Sequence, residues 1–307
     1  MKVVILGGCG FLGLHIAEKL VANNIKTVLV DSKARLHKPI DFHKYQLVEI
    51  DYPYRDVEVL ESVLKKNDVF IHLGWSQVPN DNLYGFKKDI SQNILISAEL
   101  FHLARNLGVG RIIFASSGGS VYGDLAESPI NEKCATNPIS SYGVAKLATE
   151  KYLTLLTANS PTDHIIFRIG NAYGNHLLPC STATGLIPSV IKALISDNEI
   201  EIWGNGQVIR DFINVKDIAN AFYLATVMPK INGIFNIGTG KGTSIKNLIS
   251  MIENKLNKSA KIIWSDNRMC DVKEAVLDYG KFKTLSQWTP QISLEKGVSE
   301  MISTYKG

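Results

Sequence analysis

The sequence predicts an α/β protein: a doubly wound parallel sheet followed by a smaller, mixed α/β C-terminal domain. Three observations carry this. Short, continuous apolar runs alternate with helix-spaced segments through the first half of the chain. A glycine-rich turn, GGCGFLG, sits between the first apolar run and the first helix. Beyond about residue 170 the alternation loosens. Strands buried on both faces read as continuous apolar runs, and strands separated by helices pair in parallel through right-handed crossovers.

The elements follow in order. Residues 2–6 form a first strand that ends in glycine, and residues 11–23 have helical spacing with Phe11, Leu14, Leu20 and Val21 apolar. KTVLV (26–30) ends at Asp31, and QLVEI (46–50) ends at Asp51. VFIHL (69–73), RIIFA (111–115) and HIIFR (164–168) are further strands. In the second half LIPSVIKALI reads as a helix, IEIWG and IFNIG (234–238) as strands, SIKNLISMIENKL as an amphipathic helix, and a last helix starts near Leu294. Residues 1–170 are assigned to a dinucleotide-binding domain and 171–307 mainly to a substrate domain, with parts of 211–240 returning strands to the main sheet.

Composition narrows the function. The 307 residues are 45% hydrophobic and 20% charged, which is ordinary for a globular chain. The formal charge of +4 comes with no basic block, so nucleic-acid binding has no support. No apolar stretch is long enough to span a membrane, and the N-terminal run is too short for a signal peptide. Cys9, Cys134, Cys180 and Cys270 are scattered, without CxxC or zinc spacing. A reduced, cytoplasmic chain with no metal site is the expectation.

Gly7, Gly10 and Gly13 space the first turn as GxxGxxG. The first permits the tight turn, the second lets a pyrophosphate approach the helix N-terminus, and the third lets that helix pack close. With Phe11 and Leu12 they form the predicted cofactor loop of a Rossmann domain. Asp31, at the end of the second strand, would accept from ribose hydroxyls and repel a 2′-phosphate, so NAD is favoured over NADP. Arg35, nearby, reads as a surface arginine. Tyr142 and Lys146 stand four apart in SYGVAKLATEKYL and share a helix face. A free tyrosine, with a pKa of about 10, is a poor base at neutral pH. A neighbouring cation favours its phenolate, and the lysine also suits a nicotinamide ribose.

With GGCGFLG, Asp31, Asp51, HLGW (72–75), Asn93, SSGGSVYG, NPISSYGVAK, FRIGNAYG, IEIWGNGQVIRDFINVKDIA, FNIGTG and RMCD (268–271), the chain resembles the extended short-chain dehydrogenase/reductases of the nucleotide-sugar epimerase/dehydratase family, most of all UDP-glucose 4-epimerases. The resemblance runs nearly end to end. It implies that Asp51 and Tyr52 lie beside the adenine and that Leu73 and Asn93 line the NAD site. It places Asn171 and Leu186 on the substrate, Trp203 against the nucleotide base, Arg210 and Arg268 on the diphosphate, and Asp271 near the base-side ribose. A salt bridge to Asp211 is the alternative for Arg210. The implied partner is a UDP- or dTDP-linked sugar. The implied assembly is a homodimer joined by a four-helix bundle from segments 90–106 and 142–157.

The chain also departs from that family. Gly185-Leu186 stands where many members carry Asn-Leu, so a side-chain contact to phosphate is lost. Ala275 falls near a bulky gate of some epimerases and would leave room for an N-acetyl group. Gly119-Ser120 replaces the Asp-Glu pair that the family's dehydratases need, which excludes dehydration. Gly118 replaces the family hydroxyl four residues before Tyr122. Strand alternation puts 120 on the side of 118, so Ser120 is the expected catalytic substitute, with Ser117 the alternative and substrate-contacting residue. The activity implied is a 4-epimerase using transient oxidation at sugar C4, on a UDP-hexose or UDP-N-acetylhexosamine. A 4-ketoreductase acting on a dTDP-4-keto-6-deoxyhexose with NAD(P)H is the alternative. A non-catalytic binder of NAD or nucleotide sugar is a remote third.

Overall fold

The computed structural model describes residues 1–32, 44–50, 57–76, 85–124, 128–177, 185–229, 231–266 and 271–306. The first half builds one wholly parallel, seven-stranded sheet. Its strands are β1 (Val3–Leu6), β2 (Thr27–Asp31), β3 (Gln46–Glu49), β4 (Val69–His72), β5 (Arg111–Ser117), β6 (Asp163–Ile169) and, from the second half, β10 (Gly233–Ile237). Their order is β10-β6-β5-β4-β1-β2-β3. The chain steps outward from β1 to β3 and then returns to β1's other side as β4. That reversal opens a crevice at the carboxyl ends of β1 and β4, where open α/β sheets bind ligands.

Period-two alternation feeds a core on each face. Val3 and Ile5 of β1 pack with Ile71, Ile113 and Phe167 under α1 (Phe11–Val21). Val4 and Leu6 pack with Phe70, Ile112, Phe114 and Ile166 under α2 (Val57–Val63) and α3 (Leu95–Asn106). A helical turn, Phe86–Lys88, and a π-helical turn, Asp89–Ile94, lead into α3. The next helix, α4 (Ser141–Thr157), starts at Ser140, whose side chain accepts from the Gly143 N–H at 3.1 Å. That N-cap satisfies a helix donor that would otherwise lack a partner.

The smaller C-terminal domain has its own core, with Val190, Ile191, Ile202, Leu248 and Met301 buried. It contains β7 (Asn171–Tyr173), α5 (Leu186–Ser196), β8 (Glu199–Trp203), β9 (Ile209–Asn214), α6 (Val215–Val227), β11 (Gly242–Ser244), α7 (Ile245–Leu256), β12 (Lys261–Ser265), β13 (Glu274–Ala275), α8 (Gly280–Ser286) and α9 (Leu294–Lys306). Strands β7, β11 and β13 pair with β9, and β8 pairs with β12. Helices α6 and α8 cross back to pack on the main sheet, where Phe222 and Phe282 meet Phe167 at 4.9 and 5.1 Å between ring centroids. Among the described residues no helix is long and apolar enough to cross a membrane, and no group of three or more His, Cys, Asp or Glu stands ready for a metal ion.

Asp211 of β9 joins the segments around the sheet edges. Its buried carboxylate accepts from the Thr239, Gly240 and Leu277 N–H groups and from the Thr239 hydroxyl. Asp211→Ala leaves those amides unpaired. We expect a loss of about 2–4 kcal/mol in urea unfolding, against a near-neutral effect for a substitution at exposed Lys283.

Candidate active site

The glycine turn is shaped as a cradle. Gly7 has φ +76°, in the left-handed region that glycine adopts freely, and its N–H donates to the Val30 carbonyl at 2.9 Å. A β-carbon at Gly7 would lie 2.9 Å from the Gly74 nitrogen, so the turns after β1 and β4 touch at the sheet's switch point. At Gly13 it would lie 2.5 Å from the carbonyl oxygens of Gly7 and Gly8. Gly10 is the extended residue before α1, Phe11 opens that helix, and Leu12 is partly buried against the core. Phe11 also lies 4.7 Å from the His176 ring. Asp31 is fully buried and accepts from the Cys9 N–H at 2.9 Å and the Ser32 N–H at 2.8 Å. The acidic residue and the glycine turn are thus one unit, and the close-packed backbone fits a dinucleotide pyrophosphate at the α1 N-terminus. Asp51, Tyr52 and Arg35 lie outside the described residues.

Tyr142 and Lys146 project from the first turns of α4. The Lys146 ammonium is buried, donates to the Ala115 carbonyl at 2.8 Å, and sits 3.6 Å from the centre of the Trp75 ring. Burial lowers its pKa to about 7, against the opposing charges of Glu150 and Asp89. The Tyr142 ring centre is 5.7 Å from that ammonium. Burial pushes the Tyr142 phenol up; a hydrogen bond with the Ser117 side chain opposes this, and the Asp89 charge adds to it. Leu73 is partly buried against the core under α1, and its N–H donates to the Leu6 carbonyl at 2.9 Å. Asn93 is buried, accepting from the Ser76 N–H at 2.9 Å and donating to Asp89 at 3.0 Å.

The serine segment differs from the sequence expectation. Strand β5 runs through both Ser116 and Ser117, and residues Gly118–Val121 then wind into a helical turn. The strand alternation that singled out Ser120 therefore stops at 117. A β-carbon at 118 would run into Leu277, so that position faces the core and could not present a hydroxyl to the cavity. Ser117 and Ser120 both line the cavity, and Ser117 donates to Ser120 at 3.2 Å. Of the two, Ser117 is the side chain whose polar contact lowers the Tyr142 pKa against the effect of burial.

Two adjoining cavities complete the site. One, of about 260 Å³, is walled by Ser117, Gly119, Ser120 and Ser140 together with Asn171, Arg210 and Asp271. The other, of about 310 Å³, shares Asn171, Arg210 and Asp271 and continues past Phe11, Leu186 and Trp203. Trp203, 41% exposed, contributes an aromatic side chain to the wall. Arg210 does not bridge to Asp211. Its guanidinium donates to the Val272 and Ile209 carbonyls at 2.8 and 3.0 Å and pairs with Asp271 at 3.3 Å. Asp211 is instead occupied by backbone amides. Arg268 lies outside the described residues. Ala275 is buried in β13 opposite Arg210 in the ladder, and neither cavity has it on its wall.

Sequence reasoning missed three contributors: Trp75 over Lys146, Asp89 behind the pair, and Ser140, which caps α4 and faces the cavity. HLGW had put Trp75 on the page, but only the fold brings its ring to Lys146.

A family model described as "NAD dependent epimerase/dehydratase family" matches residues 3–238. A Methanocaldococcus jannaschii protein provisionally named a UDP-glucose 4-epimerase is 31% identical over 99% of this chain and 98% of its own length. An Escherichia coli dTDP-4-dehydro-6-deoxyglucose reductase is 30% identical over 99% of this chain and 97% of its own. Among solved structures, the UDP-glucose 4-epimerase of Thermotoga maritima with UDP-glucose superposes with a TM-score of 0.86 at 28% identity, covering 100% of this chain and 99% of that one.

Two outcomes are expected. Gly13→Ala pushes a β-carbon into the carbonyls of the glycine turn, so NAD recovered with the purified protein falls about tenfold or more while circular dichroism shows a folded chain. Lys146 has a folded pKa depressed from 10.5 to about 7. Between those values the unfolded chain binds the extra proton, so this lysine's contribution to stability rises with pH. The stability of wild type relative to Lys146→Met therefore increases from pH 7 to pH 10 in urea titrations; a flat difference contradicts this.

Proposed function

This chain belongs to the NAD-dependent epimerase/dehydratase family, and from that premise we propose that it is a UDP-hexose 4-epimerase that uses Tyr142 as its acid–base residue. The observation that carries the reading is the continuity of the site. One path runs from Ser117, the side chain that acts on Tyr142, past Asn171, Arg210 and Asp271, to Trp203. That order matches a sugar, a diphosphate and a flat base.

Each part has a chemical role. The glycine turn and Asp31 would hold NAD, which would supply hydride transfer at sugar C4 when bound. Tyr142, as phenolate, takes the proton of the 4-hydroxyl through Ser117: the Ser117 hydroxyl turns from Ser120 to give its proton to the phenolate as it accepts the sugar's. Lys146 provides the positive charge that makes the phenolate accessible. Arg210 supplies donors suited to phosphate oxygens, and the family resemblance gives Arg268 the same role. The backbone amides at the start of α5, where Gly185-Leu186 replaces Asn-Leu, add to that anion site. Trp203 offers an apolar face to the base.

Asp31 supports NAD over NADP, because its buried carboxylate opposes a 2′-phosphate. Tightly kept NAD suits an epimerase, whose cofactor is regenerated in each cycle. The reductase reading draws on the E. coli relative, which acts by name on a dTDP-4-keto sugar. Dehydration has no acid–base pair at Gly119-Ser120 to perform it.

The assembly we propose is a homodimer. Ile90, Leu95, Val144, Tyr152 and Leu155 expose apolar surface along the π-helical turn, α3 and α4. Light scattering should give twice the chain mass; a monomer removes this part of the proposal.

The decisive assay offers UDP-glucose or UDP-galactose to purified protein without added cofactor. Interconversion supports the epimerase. Its absence, together with NAD(P)H consumption on a dTDP-4-keto-6-deoxyhexose, replaces it with the reductase. Tyr142→Phe should lower turnover about a thousandfold, the weight of a lost acid–base group. Full activity in that variant overturns the assignment of the base.

A further inference from the structure

We propose that Asp89 is the positioning residue of the Tyr142–Lys146 pair: its carboxylate ties the start of α4 to the π-helical turn and places a buried negative charge at the helix turn that carries Tyr142. The proposal rests on the reading that this pair performs the chemistry.

Asp89 is only 3% exposed, although its neighbours Lys88 and Ile90 face solvent. A carboxylate is costly to bury unless its oxygens are hydrogen-bonded. Both are. Oδ2 accepts from the Ser141 hydroxyl at 2.6 Å, and Oδ1 accepts from the Asn93 amide at 3.0 Å. Ser141 immediately precedes Tyr142, so the first bond fixes the backbone from which the phenol projects. The second orients Asn93, whose side-chain oxygen accepts from the Ser76 N–H. Ser76 follows Trp75, the ring that lies over the Lys146 ammonium. One carboxylate therefore braces both the helix carrying the pair and the segment covering it. The π-helical winding at Asp89–Ile94 is a rare local geometry, and such turns concentrate at functional sites.

The charges around the pair single out Asp89. Among the described residues, the groups that act on Lys146 are Glu150 on α4, Asp89 on the π-helical turn and His72 on β4. Glu150 is engaged by Arg168 of β6 at 2.6 Å. His72 is neutral, its pKa lowered to about 3 by burial and then by Lys146. The hydrogen-bond donors to Asp89 are neutral, unlike the guanidinium that engages Glu150. The Asp89 charge favours the Lys146 ammonium and opposes the Tyr142 phenolate. Asp89 thereby supports the lysine's charge and adds to the larger effect of burial in raising the pH at which Tyr142 becomes the phenolate base.

The test uses the full chain loaded with NAD. The ultraviolet absorbance of tyrosinate is titrated with pH, and the Tyr142→Phe titration is subtracted. In Asp89→Asn the Tyr142 midpoint should move about one unit to lower pH, and both limbs of the pH–rate profile should move the same way. Ser141→Ala keeps the charge and loosens the helix start. It should lower turnover about tenfold or more and leave the midpoint in place. An unmoved midpoint in Asp89→Asn overturns the proposal. Should that variant not fold, Ser141→Ala decides: wild-type turnover there removes the tie. Tyr142→Phe with full turnover defeats the reading of the pair instead, while the tyrosinate titration, which needs no turnover, still judges Asp89.

Discussion

The site depends on a buried ion pair at its back. Glu150, one helical turn beyond Lys146 on α4, receives two nitrogens of Arg168 from β6 and the Ser116 hydroxyl from β5. All three residues are buried. The helix bearing Tyr142 and Lys146 is therefore locked to the strand that delivers Ser117 and to the strand that leads into Asn171. A buried pair of this kind adds little net stability over an apolar equivalent, but losing one partner strands a charge at a cost of about 3–5 kcal/mol. Its consequence is register. Tyr142 can meet Ser117 because the helix cannot slide along the sheet.

The remaining parts of the site hang on that frame from two sides. At the switch point of the sheet, the glycine turn and Asp31 are held by backbone hydrogen bonds and close packing rather than by flexible side chains. On the other side, β9 and the chain leading into β13 bring Arg210 and Asp271 to the cavity wall from positions 61 apart in sequence. The charged groups are thus preplaced, which suits a reaction whose demand is to move a proton and hold a diphosphate still. The low exposure of Lys146 and Tyr142 makes each neighbouring charge count, because burial strengthens electrostatic coupling.

Much of this was legible in the sequence, for local reasons. Val3–Leu6, Thr27–Asp31 and Val69–His72 are continuous apolar runs because both faces of the sheet are covered. The glycine turn announced itself by spacing, and Tyr142 and Lys146 by the helix period. The serine segment was misjudged because alternation holds only while a chain stays extended. Ser117 ends β5, and the turn that follows is set by Gly118 packing on Leu277, a tertiary contact that no local pattern records. Arg210 was ambiguous for the same reason: its sequence neighbour Asp211 points to backbone amides, and its partner Asp271 arrives from another strand connection. Trp75 and Asp89 gave no local signal, since each acquires its importance only when β4, the π-helical turn and α4 come together.

The account's central claim is that C4 is oxidised and reduced within one binding event, with Tyr142 handling the proton. The most direct measurement follows UDP-glucose deuterated at C4 through turnover with the purified protein and no added cofactor. The account predicts UDP-galactose that retains the deuterium at C4, with none lost to solvent. Product that has lost its C4 deuterium would contradict it, as would interconversion that proceeds unchanged in protein stripped of NAD.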